Sequence, residues 1–263
     1  MEIDTLIIIL LSLVSFAAGF IDSIAGGGGL LMLPSYLLAG LPPHIAIGTN
    51  KLVATSGTGV AIYNFVRKGK VSLPIILSGV LFALGGAFVG AKVILLFEQD
   101  TVNKVIVSLL PFGMLATLYP KKNIIRKEEL RKKDLYFKVP LICLITGFYD
   151  GFFGPGTGAF LALFLHIFLK LNLIEATANT KIFNFISTFG SLIVFMWNGK
   201  VWYIGALPMV ATNMLGNYLG SHLAIQKGEK VIRLFLVIVL IILFVTLVWK
   251  LGFLSNLALL KLS

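Results

Sequence analysis

Long apolar runs, separated by short polar or glycine-rich stretches, make up most of this 263-residue chain. The runs lie near 5–21, 29–40, 45–66, 72–96, 102–119, 139–150, 158–169, 182–197, 203–225 and 231–250. A helix needs about 20 residues to cross a hydrocarbon core of about 30 Å, so the runs at 29–40, 139–150 and 158–169 are too short to cross unaided. We therefore predict an all-α integral membrane protein with about eight transmembrane helices, some of them broken or re-entrant.

The composition supports a membrane protein. Hydrophobic residues make up 58% of the chain and charged residues 13%, and the mean hydropathy is +0.98, whereas soluble proteins carry about 25% charged residues. The net charge of +11 would suggest a nucleic-acid partner in a soluble protein, but here it is better explained by positive cytoplasmic loops. The single cysteine, Cys143, excludes an internal disulfide, and no cofactor or metal site is predicted.

Charged residues at two places indicate how the chain is inserted. The first run follows four residues without Lys or Arg, so we do not expect a cleaved secretory signal. A basic segment, residues 121–138, carries eight Lys and Arg and predicts a cytoplasmic connector. The expected location is therefore the cell (plasma or inner) membrane, with several passes through the lipid bilayer.

Motifs recur between the two sides of this connector. Residues 19–22 (GFID) recur as 147–150 (GFYD), and 49–51 (TNK) recur as 179–181 (NTK). Such a register predicts a duplicated unit, with a first transmembrane repeat at 1–120, the connector at 121–138 and a second repeat at 139–263. These repeats are called the first and second halves below.

The charges of equivalent loops favour an inverted repeat with both termini outside. The loop at 67–70 has three positive residues and its counterpart at 198–200 has one, whereas 98–104 is net negative and 227–233 is net positive. Positive charge thus changes sides between the halves, as an inverted repeat requires. A parallel arrangement stays open, because it divides the positive residues between the two sides nearly as well.

Glycine-rich stretches follow an aspartate in each half. Several successive glycines destabilise a helix, so they should end one helix and expose N–H groups at the start of the next, where an anion can bind. The alternative is close helix packing through small residues. The predicted substrate-binding residues here are Gly26, Gly27, Gly28, Gly154, Gly156 and Thr157, and the neighbouring Asp22 and Asp150 are predicted to couple protons or to form ion pairs.

Two lysines lie within predicted membrane segments, one in each half. Two cations buried in one bundle imply either a bound anion or neighbouring carboxylates, and pairing with the two aspartates is the main alternative to ligand contact. The second predicted set of substrate-binding residues is Thr49, Asn50, Lys51, Asn179, Thr180 and Lys181. His44, which follows two prolines, is expected in an interfacial loop.

Small residues at helical spacing predict close helix packing further along each half. They are Gly85, Gly86 and Gly90 in the first half, and Gly216 and Gly220 in the second. Two roles stay open for Asn213 and Asn217: they either form hydrogen bonds between helices or line a transport pathway.

Taken together, the repeated glycine, aspartate and Asn/Thr-Lys motifs resemble the sulfite exporter TauE/SafE family over essentially the whole chain. The resemblance implies a secondary transporter of small sulfur-containing anions, such as sulfite, thiosulfate or sulfonates. It implies no enzyme activity and is compatible with a homo-oligomer. Two alternatives remain: an anion channel with the same site, and an intramembrane enzyme that uses Asp22 and Asp150.

Overall fold

A computed structural model describes residues 4–67, 71–118 and 132–227, and these residues form nine α-helices. The helices are α1 (Thr5–Ala25), α2 (Gly28–Leu38), α3 (Pro43–Arg67), α4 (Leu73–Ile94), α5 (Gln99–Leu118), α6 (Val139–Phe152), α7 (Thr157–Leu169), α8 (Leu173–Trp197) and α9 (Tyr203–Lys227). A π-helical turn, Asp134–Lys138, leads directly into α6. The predicted run at 231–250 and the connector residues 121–131 lie outside the described residues.

The glycine-rich stretches end helices, as predicted. Helix α1 stops at Ala25, and Gly26 adopts a left-handed conformation with φ of 78°. In the second half, Gly154 and Gly156 have φ values of 98° and 83° between α6 and α7. These angles favour glycine because a side chain would clash with the backbone. The helices that follow, α2 and α7, have only 11 and 13 residues, which confirms that these two runs are short.

Two helix boundaries differ from the sequence prediction. The run at 139–150 was predicted to be too short to cross a membrane, but the turn before α6 extends it to a 19-residue segment, Asp134–Phe152, which is long enough. Lys138 and Asp134 are four residues apart in that turn and form an ion pair at 2.6 Å. Helix α8 begins at Leu173 rather than near 182, and the Asn172 side chain accepts a hydrogen bond from the Glu175 N–H at 2.9 Å.

Helices of one half pack mainly against helices of the other. Helix α4 runs along α6, and α1 runs along α9. A Cβ atom on Gly90 would overlap the carbonyl oxygen of Phe148, and one on Gly216 would overlap that of Phe16. The predicted packing role of these glycines is therefore confirmed. Gly85 differs, because a Cβ there would have no described neighbour within 4 Å.

Helices α3 and α8 lie between these two crossings. Helix α3 contacts α8 and α9, whereas α8 contacts α3, α4 and α7. The Asn/Thr-Lys motif of each half is therefore buried in the interior of the bundle. His44 is buried in the first turn of α3, with Nε2 3.2 Å from the carbonyl oxygen of Ile94, so its prediction as a loop residue was wrong.

Among the described residues, four helical segments are long and apolar enough to cross a membrane. They are Thr5–Ala25, Leu73–Ile94, Asp134–Phe152 and Glu175–Trp197. Large apolar side chains such as Leu77 and Leu81 are exposed on the outside of the bundle. Such exposure suits contact with lipid, where apolar side chains need no cover.

Candidate anion site

The two glycine-rich breaks lie against each other. A Cβ atom on Gly26 would be 2.5 Å from the carbonyl carbon of Gly158, and one on Gly158 would be 2.9 Å from Cα of Gly26. Only glycine permits this approach between two backbones. The breaks of the two halves therefore form one closely packed region, in which the starts of α2 and α7 are buried.

Lys51 of α3 reaches from the first half to Asp150 near the end of α6. Its Nζ atom lies 3.0 Å from Asp150 Oδ1, and it also donates to the main-chain oxygen of Asp150. The other carboxylate oxygen, Oδ2, accepts from the Thr188 hydroxyl at 3.1 Å. The side chains of Lys51 and Asp150 are 1% and 3% exposed, so this pair is closed to water.

Lys181 of α8 makes the equivalent contact in the opposite direction. Its Nζ atom lies 2.9 Å from Asp22 Oδ2 and donates to the main-chain oxygen of Asp22. The other carboxylate oxygen, Oδ1, accepts from the Gly28 N–H at the start of α2, at 3.2 Å. The Asp22 side chain is 17% exposed, whereas that of Lys181 is 1% exposed.

Each lysine thus pairs with the aspartate of the other half. Of the two sequence interpretations, pairing with the aspartates describes the conformation seen here. Two ammonium groups and two carboxylates give the region no net charge. A buried charge needs such compensation because its transfer from water is costly.

Two of the predicted binding residues, Thr49 and Asn179, accept hydrogen bonds from the main chain just before other helices. The Thr49 hydroxyl accepts from the Trp202 N–H at 3.0 Å, and Asn179 Oδ1 accepts from the Ser72 N–H at 3.1 Å. Ser72 and Trp202 immediately precede α4 and α9. In this conformation both side chains fix the start of a helix that belongs to the opposite half.

The remaining predicted residues lie along the breaks. A Cβ atom on Gly29 would be 3.3 Å from Asn50 Nδ2, and one on Gly154 would overlap the Lys51 ammonium group. The Thr157 hydroxyl donates to the Gly154 carbonyl oxygen at 2.7 Å. Thr180 Oγ1 is buried and has no hydrogen-bond partner within the described residues. Asn50 therefore keeps a polar group beside the break of the first half. Thr180 keeps a buried hydroxyl next to Lys181 in the chain.

Sequence reasoning missed two residues that shape this region. Thr188 holds Asp150, and it stands in the repeat register of Thr58, so a search for equivalent hydroxyl residues would have found it. Gly113 of α5 lies so close to Gly156 that a Cβ atom on Gly156 would be 2.7 Å from Gly113 Cα. No counterpart in the repeat points to Gly113, because this contact arises from tertiary packing.

Comparison with known proteins agrees with the motifs. The family model described as "Sulfite exporter TauE/SafE" matches residues 11–247. The probable membrane transporter protein ORF9 of Sinorhizobium sp is 40% identical, with 86% of each chain covered. The probable membrane transporter YfcA of Escherichia coli K12 is 36% identical over 90% of this chain and 88% of the relative. No solved structure gives a significant match.

Proposed function

Because this chain belongs to the sulfite exporter TauE/SafE family of membrane transporters, we propose that it carries small sulfur-containing anions across the cell membrane by alternating access. The proposed substrates are sulfite, thiosulfate, sulfonates and related organosulfur acids. The observation that supports this proposal most directly is the pair of ion pairs that cross between the halves at the glycine-rich breaks. They give an anion two buried ammonium groups, each paired with a carboxylate that the anion can replace only by displacing it.

In the proposed bound state, the anion lies between the starts of α2 and α7. Its oxygens accept hydrogen bonds from the glycine-rich backbone of both breaks, from Asn50 and Thr180, and from a lysine that exchanges its aspartate for the anion. Backbone donors at helix starts suit anions because the helix dipole adds to their hydrogen bonds. Thr49 and Asn179 contribute by holding α9 and α4 in place.

The transport cycle follows from the interlocked halves. We propose about eight transmembrane helices arranged as an inverted repeat, with rocking of one half against the other around the site. Because each ion pair joins the two halves, exchange of aspartate for anion loosens one connection between them. Binding is thereby coupled to the movement that alternating access requires.

The test is anion flux into liposomes that contain the purified full chain. Radiolabelled sulfite, thiosulfate, sulfate and a sulfonate are compared, and the variant Lys181→Met with Asp22→Asn removes both charges of one pair. We expect this neutral variant to fold and to lose at least about tenfold in flux, the change that about 1.4 kcal/mol of lost binding produces.

Lys92→Ala is the matched control, because this exposed lysine lies outside the site, with Nζ 4.6 Å from the ring centre of Phe88. It should transport as the unmodified protein does. Saturable counterflow would distinguish a carrier from a channel. Unchanged flux in the Lys181→Met, Asp22→Asn variant would contradict the proposed site.

A further inference from the structure

The carboxylates of Asp22 and Asp150 differ in their side-chain hydrogen bonds and in their exposure. Both carboxylate oxygens of Asp150 accept from side chains, Lys51 and Thr188, and the side chain is 3% exposed. For Asp22, Lys181 is the one side chain among the described residues that binds the carboxylate, and 17% of Asp22 is exposed. Asp22 is therefore both less firmly bound and more accessible than Asp150.

A threonine explains part of this difference. Thr58 stands in α3 at the position that corresponds to Thr188 in the repeat register. Thr58 Oγ1 is buried but forms no hydrogen bond within the described part of the chain. Thr58 is thus the counterpart, by repeat register alone, of the hydroxyl that holds Asp150, and within the described residues it donates no hydrogen bond to Asp22. Asp22 therefore lacks the second side-chain partner that Asp150 has.

The Asp22 carboxylate uses the donors that an oxyanion would use. It accepts from the Lys181 ammonium group and from the Gly28 N–H at the start of α2. An anion can bind these donors only after Asp22 withdraws. The withdrawn carboxylate would then be a second negative charge in a region that was neutral before, and such an uncompensated charge is costly away from water.

We infer that Asp22, and not Asp150, takes up one proton from water when a monovalent anion replaces its carboxylate on Lys181, so that anion and proton are carried together. Lys181 remains an ammonium group throughout, and no covalent bond changes apart from protonation of the carboxylate. The bound region then keeps the net charge of the empty one. This inference rests on the proposed function and adds its coupling ion.

Other titratable groups near Asp22 have other contacts. The helices that touch α1 are α2, α3, α7, α8 and α9. On these helices Lys51 binds Asp150, and His44 and His166 lie against the main-chain oxygens of Ile94 and Leu171. Tyr36 is buried in α2, Glu175 lies in the first turn of α8, and five further groups are exposed, namely Tyr63, Arg67, Tyr203, Tyr218 and His222. Among the described groups, Lys181 is the charged partner that faces Asp22.

The test measures proton uptake on anion binding to the purified full chain. The probes are methanesulfonate and ethanesulfonate, monovalent anions that do not titrate between about pH 5.5 and 8.5, so protons taken up must bind to the protein. Calorimetry in buffers of different ionisation enthalpy gives the number of protons per bound anion. The compared proteins are the unmodified chain, Asp22→Asn and Thr188→Val, which removes the hydroxyl that holds Asp150 without changing the charge of the region.

We expect the unmodified chain to take up about one more proton per bound anion than Asp22→Asn, with affinity falling about tenfold per pH unit where Asp22 is ionised in the empty protein. Thr188→Val should keep this dependence. Binding with equal proton uptake in the unmodified chain and Asp22→Asn would overturn the inference and leave the proposed function standing. Failure of both probes to bind at any pH would overturn the proposed anion site and this inference together.

Discussion

The two helix crossings that join the halves use equivalent glycines but differ in polarity. At the apolar crossing, formed by α4 and α6, the carbonyl oxygens of Ala83 and Ala87 lie against Gly147 and Gly151. At the polar crossing, formed by α1 and α9, Asn213 and Asn217 stand where the repeat register places those two alanines. Asn213 Nδ2 donates across this crossing to the main-chain oxygen of Ser15 at 2.9 Å.

The environments of the two aspartates differ in the same way as the two crossings. The apolar crossing leads to Asp150, which has two side-chain partners and is shielded from water, whereas the polar crossing leads to Asp22, which is more exposed. Positions that the predicted repeat makes equivalent therefore have different environments in the two halves. We expect the apolar crossing to stay closed during transport and the polar crossing to be the one that yields.

Removal of the lysine should give the largest difference in stability between the Lys51–Asp150 pair and the Lys181–Asp22 pair. Lys51→Ala leaves the Asp150 carboxylate buried without its cation, so we expect a loss of about 3–5 kcal/mol in the free energy of unfolding. Lys181→Ala should cost less, because Asp22 is partly exposed and keeps the Gly28 N–H. Thermal unfolding of the purified variants in detergent measures both effects.

The charge-neutral double variant Lys51→Met with Asp150→Leu is the control for this prediction. It removes the unpaired carboxylate and should recover most of the stability that Lys51→Ala loses. A greater loss of unfolding free energy for Lys181→Ala than for Lys51→Ala would contradict the proposed difference between the two ion pairs.

Glycine substitutions test what the crossings share. A Cβ atom at Gly90 would overlap the Phe148 carbonyl oxygen, and one at Gly220 would overlap that of Phe20. Because backbone atoms cannot move aside as a side chain can, we expect Gly90→Ala and Gly220→Ala each to cost about 1–3 kcal/mol. Thermal unfolding of the purified variants in detergent measures this loss of stability.

Gly85→Ala provides the matched control on the same helix as Gly90. Its Cβ would meet no described atom within 4 Å, and alanine favours the helix by up to about 1 kcal/mol over glycine. We expect stability to be unchanged or slightly raised. Equal losses of stability for Gly85→Ala and Gly90→Ala would show that helix propensity, rather than backbone contact at the crossing, determines the cost.

The sequence predicted the local features of this fold well, because they depend on neighbouring residues. Apolar runs located the described helices, and successive glycines located the breaks after Ala25 and Phe152. The extension of α6 was missed because Asp134 and Lys138 resemble loop residues, although they pair within one helical turn. Charge pattern alone does not distinguish such a turn from a loop.

The candidate site was predicted less completely, because its contacts join distant parts of the chain. The repeat register identified the lysines and aspartates, and pairing was one of two interpretations. That Lys51 pairs with Asp150 rather than Asp22 depends on how α3 and α6 pack, which no local pattern specifies. Thr49 and Asn179 were predicted to bind substrate, and their bonds to Trp202 and Ser72 depend on the same long-range packing.

Replacement of the asparagines at the polar crossing should give the smallest change in the free energy of unfolding. Asn213→Ala removes the hydrogen bond to Ser15, and bonds between membrane helices contribute about 0.6 kcal/mol on average. Asn217 donates within its own helix, to the side-chain and main-chain oxygens of Asn213, and its Oδ1 is buried without a partner in the described residues. Asn217→Ala should therefore cost less than Asn213→Ala, because it also removes an unsatisfied acceptor. Unfolding in detergent compares the two variants, and a larger loss for Asn217→Ala would mean that its free oxygen has a partner that matters for stability.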